Sequence, residues 1–112
     1  MADLLDANLT ARLRKVVDDQ PATESELRTL SEQADAWARA LEAQLQGSER
    51  RLRRLTADAA TPLSEIAAEL RRVETLGPAL TEMRLLLARL EERARELRAA
   101  WLLHQTESAP PG

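Results

Sequence analysis

Cysteine is absent from all 112 residues. Disulfides, zinc–thiolate sites and cysteine nucleophiles are thereby excluded. Phe and Tyr are absent as well, and the 2% aromatic content is Trp37 and Trp101 alone. The three glycines stand apart at 47, 77 and 112, so no glycine-rich phosphate loop can be built. β-Branched residues are sparse, which argues against a sheet. No run of ~18 apolar residues exists to read as a bilayer span. The opening Met1-Ala2-Asp3-Leu4-Leu5-Asp6 is acidic and lacks the basic-then-apolar build of a signal peptide. An intracellular, cytoplasmic protein is expected on that ground, with the nucleus left open. The net charge of −3 argues against a dedicated nucleic-acid partner.

Leu, Ala, Glu and Arg dominate what is there, all strong helix formers. Between Leu80 and Trp101, steps of three and four residues pick out Leu80, Met83, Leu87, Leu90, Ala94, Leu97 and Trp101. Charged residues fill most of the positions between. That is a heptad seam, and a helix so built must bury one stripe against other helices.

Local signals divide the rest. Asp3 can cap a first helix over 4–19, which Pro21 ends. Thr23-Glu24-Ser25-Glu26 is a capping box and starts a second helix over 24–58, with Leu27, Leu30, Ala34, Trp37 and Leu41 on its seam. Gly47 costs only ~1 kcal/mol inside a helix, so continuity through it is expected. Thr61-Pro62 reads as a cap followed by proline at the first helical position. Helices over 63–76 and 79–103 follow, separated at Gly77-Pro78 by a turn or a kink. Residues 1–104 read as one helical domain and 105–112 as a disordered tail.

The expected fold is all-α: an antiparallel helical hairpin or three-helix bundle with coiled-coil character. At 1.5 Å per residue, the third and fourth helices end to end match the second in length, roughly 58 against 52 Å. A compact four-helix bundle is the alternative, and it requires a reversal at Gly77-Pro78. The expected core takes Leu27, Leu30, Trp37, Leu41 and Leu52 from the long helix, and Ile66, Leu70, Leu87, Leu90 and Leu97 from the returning arm.

No catalytic constellation emerges. His104 is the only histidine and stands at a helix end. The pairs Asp18/Asp19 and Glu91/Glu92 are chain neighbours, which point to different sides of a helix. Arg12, Arg14, Lys15 and Arg28 could grip a dicarboxylate inside a helical core, yet none falls on a seam. The chain is read as a non-enzyme, with no cofactor and no metal.

Two surfaces suggest partners. Arg50, Arg51, Arg53 and Arg54 form the strongest basic run, a possible patch for an anionic partner such as a membrane surface. The competing reading is a solvated helix face offset by nearby carboxylates. Arg53-Arg54-Leu55-Thr56 also has the pattern of a basophilic kinase site, relevant if Thr56 is accessible. Apolar residues in excess of the seam say more. Leu85 and Leu86 widen it, and Trp101-Leu102-Leu103 closes the last helix with a continuous apolar triplet. These five are the candidate protein-binding residues, with Trp101 expected to anchor the internal bundle and Leu102 and Leu103 to face a partner. In general character the chain resembles the small coiled-coil subunits of multi-protein assemblies. The expected partners are proteins, a second copy among the candidates, met through apolar helix faces; a membrane surface is the less favoured alternative.

Overall fold

The computed structural model describes residues 2–18 and 21–108, with backbone alone for 2–6, 107 and 108. Among the described residues there are three helices and no strand: α1 (Ala2–Val17), α2 (Glu24–Ala57) and α3 (Leu63–Ser108). The all-α expectation holds. The shape is long and thin, 80 × 25 × 17 Å with a radius of gyration of 20.4 Å. A compact chain of this length would have a radius of ~13 Å.

α1 begins at Ala2, so Asp3 lies in its first turn and not at the cap. Its last turn closes with the Asp18 N–H donating to the Arg14 carbonyl at 2.9 Å. Residues 19 and 20, where the sequence places the helix end, lie outside the described residues. α2 starts as its capping box requires. Thr23 is extended (φ −78°, ψ 159°) and its Oγ1 accepts from the Glu26 N–H at 3.1 Å. Glu24 and Glu26 also place negative charge at the positive end of the helix dipole. The helix runs unbroken through Gly47 and stops at Asp58, whose Oδ1 accepts from the Ala60 N–H at 3.0 Å. The Asp58 carbonyl accepts from the Thr61 N–H at 3.1 Å, and the chain reverses there.

α3 departs from expectation. Its first bonds go to the Pro62 carbonyl, from Glu65 at 3.1 Å and Ile66 at 3.4 Å, so the cap falls on Pro62 instead of Thr61. It then continues for 46 residues with Pro78 inside it. The separate helices expected over 63–76 and 79–103 are one, and the reversal that a four-helix bundle needs does not occur. Gly77 is the local reason. A residue before proline normally leaves the helical region because its Cβ meets the proline ring, and glycine has none. Pro78 still denies the Glu74 carbonyl its i+4 donor. Leu76 and Ala79, packed against the core, hold the helix together across that gap. At the other end the helix reaches Ser108, so residues 105–108, expected in the tail, are helical. Residues 109–112 lie outside the described residues.

α2 and α3 lie side by side and antiparallel, as three ion pairs along their length show. Arg51 meets Glu69 at 3.7 Å, Arg84 meets Glu42 at 3.0 Å and Arg98 meets Glu24 at 3.2 Å. α1 lies along one side of this pair, with Arg14 bonded to Glu82 of α3 and Leu9 and Arg12 beside Gln33 of α2. At 1.5 Å per residue α1 spans only ~24 Å, against ~51 Å for α2 and ~69 Å for α3. The core therefore sits where three helices meet: Leu13 and Val16 from α1, Leu27, Leu30, Ala34, Ala38 and Leu41 from α2, Leu80, Met83, Leu86 and Leu90 from α3.

Of the ten expected core positions, Leu27, Leu30, Leu41 and Leu90 are buried, and Trp37, Leu52, Ile66 and Leu87 are half-buried. Leu70 and Leu97 are exposed, 43% and 39%, and do not belong to the core. Both lie where only α2 and α3 run together, or where α3 is nearly alone. Two helices in contact bury a stripe on each and leave the flanks open.

Candidate functional site

Arg98 pairs with Glu24, the first residue of α2, so among the described residues α3 has no helix beside it beyond that point. The remaining ten residues, 99–108, project ~15 Å past the end of α2. They carry Trp101, Leu102 and Leu103 at 61%, 58% and 64% exposure. Trp101 does continue the inward seam of Leu90, Ala94 and Leu97, but among the described residues no other helix lies opposite it. The expectation that it anchors the bundle is corrected. Because successive helical residues are ~100° apart, Trp101, Leu102 and Leu103 present apolar surface on three sides of one turn. A helix end that is apolar nearly all round suits enclosure better than one-sided packing.

Leu86 is corrected too. It is 5% exposed and belongs to the core, so it is not a partner contact. α1 is the reason. The face of α3 that meets both α1 and α2 is wider than a two-helix seam, and Leu86 lies on its α1 side. Leu85 is 54% exposed. It stands five helical turns, ~27 Å, from Leu103 on the same outward face, so the two do not form one patch.

The four arginines of the basic run are all exposed. Arg51 turns toward Glu69, while Arg50, Arg53 and Arg54 fan over the outward side of α2. Arg71 bonds its own helix, donating from Nε to the Ala67 carbonyl at 3.3 Å. Thr56 is exposed, but its hydroxyl donates to the carbonyls of Leu52 at 2.9 Å and Arg53 at 3.1 Å within the last turn of α2. The geometry does not focus these cations on a single point.

A shallow groove of about 340 Å³ runs between α2 and α3 on the side away from α1. Leu27, Leu90 and Ala94 form its floor, and Glu24, Arg28 and Arg98 are among its walls. Its walls carry both signs of charge and no nucleophile paired with a base. Arg12, Arg14, Lys15 and Arg28 are all exposed and do not converge. Among the described residues no three acidic or histidine side chains are grouped to hold a metal ion. No helix there is long and apolar enough to cross a membrane. One polar atom inside the structure, the indole N–H of Trp37, is buried without a hydrogen-bond partner among the described residues.

Sequence reasoning placed the apolar triplet, the basic run and the widened face at Leu86, which it assigned to a partner instead of α1, and it missed the burial of Glu69. Continued back through Gly77-Pro78, the same three- and four-residue steps run Leu76, Val73, Glu69 and Ile66, so Glu69 falls on the buried face once α3 is one helix. No protein family matches the sequence, and no curated protein or solved structure does.

Proposed function

We propose that the chain is a non-enzymatic helical interaction protein, a small cytoplasmic subunit or adaptor of a multi-protein assembly. In this reading α2 and α3 form an antiparallel hairpin of coiled-coil character, α1 braces one half of it, and the free end of α3 docks a protein partner. The observation that carries it is the uncovered apolar turn at Trp101, Leu102 and Leu103, held on a helix that outruns its neighbour. Total exposure supports it. The chain presents 8311 Å² of accessible surface. A compact monomer of its mass would present ~6,200 Å². An exposed apolar turn on so open a chain is characteristic of surfaces completed by another chain.

The test separates this from a lipid-binding role. Assembly that depends on protein concentration, in the absence of lipid, is the expected result from sedimentation. Binding only to anionic vesicles, abolished by salt, would assign the function to the arginines and a membrane surface instead.

A further inference from the structure

We infer that Thr56 is a phosphate-acceptor site for a basophilic protein kinase. Arg53 and Arg54 stand three and two residues before it. A carboxylate-lined substrate cleft reads that pattern, because guanidinium–carboxylate pairs are strong and directional. Such a cleft takes its substrate in an extended form. The hydroxyl must therefore be exposed, and residues 53–57 must be able to leave the helix.

The structure separates Thr56 from its rivals. Three hydroxyl-bearing residues have an arginine three positions before them: Ser31 after Arg28, Thr56 after Arg53 and Thr75 after Arg72. Ser31 is half-buried, with buried Leu30 and Ala34 on either side of it. Thr75 is exposed, but it lies well inside a 46-residue helix and next to Leu76, which packs against the core. Extending either one opens a helix in its interior and leaves two new ends to solvate.

Thr56 is exposed and second to last in α2, which ends at Ala57. Along α2 the hydrophobic core reaches no further than Leu45. Of residues 53–57, all but Leu55 are exposed, and Leu55 is half-buried. Among the described residues neither Arg53 nor Arg54 is ion-paired, so a cleft can take both without breaking a bridge. A helix end frays without a new nucleus, and this last turn opens without disturbing the core. The bonds from the Thr56 hydroxyl to the carbonyls of Leu52 and Arg53 are given up when it does.

The donor is the Mg²⁺ complex of ATP. Thr56 Oγ1 attacks the γ-phosphorus, the bond from that phosphorus to the β-phosphate oxygen breaks, and ADP leaves. The hydroxyl proton passes to the catalytic aspartate of the kinase. The product sets about two negative charges beside Arg50, Arg51, Arg53 and Arg54, which cancels roughly half the charge of that run. Because α2 and α3 are antiparallel, Thr56 lies at the opposite end of the rod from Trp101. The site is thus independent of the turn assigned to a protein partner.

The test uses the full chain, Mg-ATP and a kinase active on a standard Arg-Arg-x-Ser peptide. Intact-mass and fragment spectra are expected to show one phosphate, on Thr56. Thr56→Ala should abolish incorporation. Arg53→Ala with Arg54→Ala should slow it at least ~10-fold at unchanged helicity, since two charge-assisted contacts to the cleft are lost. Ser31→Ala and Thr75→Ala should leave it unchanged. A chain that takes no phosphate overturns the inference, and so does one that takes it on Ser31 or Thr75 while Thr56 stays bare. Incorporation at Thr56 that is indifferent to both arginines overturns it as well. The partner-docking reading survives each of these results, because it is decided by sedimentation and not by phosphate transfer.

Discussion

The Arg51 guanidinium lies 3.7 Å from a Glu69 carboxylate whose side chain is only 8% exposed, while Leu70, the next residue, is 43% exposed. At this level α3 turns a carboxylate toward α2 and a leucine toward solvent. Arg51 is itself largely exposed, so water screens the pair and its net contribution is small. Glu69→Leu should therefore raise the melting temperature, because apolar residues in place of a buried ion pair are often neutral or stabilising by ~1–4 kcal/mol. Arg51→Ala should lower it slightly by leaving Glu69 unpaired. Thermal melts of both variants decide the matter, and a lower melting point for Glu69→Leu would mean that the carboxylate is needed where it stands.

Leu90 is 0% exposed at the centre of the three-helix core. Leu90→Ala should cost ~2–5 kcal/mol. Thr23→Ala, which removes the cap of α2, should cost nearer ~1 kcal/mol. Urea titrations measure both. Equal and mild effects would show that residue 90 does not carry the core.

The two internal glycines should respond in opposite ways. A Cβ at Gly47 or at Gly77 would meet no atom within 4 Å beyond its chain neighbours. Gly47→Ala should stabilise α2 by ~0.5–1 kcal/mol through helix propensity alone. Gly77→Ala adds a Cβ next to the Pro78 ring, where it disfavours the helical geometry. That change should gain nothing or destabilise, despite the open space around it. Circular-dichroism melts on the two single variants distinguish them, and a similar gain from both would remove Gly77 as the reason α3 passes through Pro78.

Leu102→Ser with Leu103→Ser should leave helicity and melting of the isolated chain nearly intact, since both side chains are more than half exposed. Trp101→Ala belongs with them. At 61% exposure it should cost far less than the ~3–5 kcal/mol expected for a buried tryptophan. A large loss of monomer stability from any of these would place the end of α3 in the core and withdraw it as a docking site.

Some of this molecule was settled by local chemistry. Without cysteine, phenylalanine or tyrosine, and with leucines at three- and four-residue steps, the chain had helices as its one regular structure. Thr23 and Glu26 started α2, and Asp58 through Pro62 formed the turn, because capping and turn chemistry act within a few residues and can be read from neighbours. Gly77-Pro78 was ambiguous on the same terms, since a turn and a continuous helix are both open to that dipeptide until packing on either side chooses. What only the tertiary structure decided was which half of the seam is core. A heptad stripe states that a face is apolar, and it does not state how many helices will meet that face or how far they reach. α1 is short, so Leu86 went inward beside it, while Leu70, Leu97 and Trp101, all on or near the expected seam, stayed outside for want of a third helix. Burial is a property of neighbours in space. The pattern along the chain fixes the direction each side chain points, and the lengths and placement of the other helices fix whether anything is there.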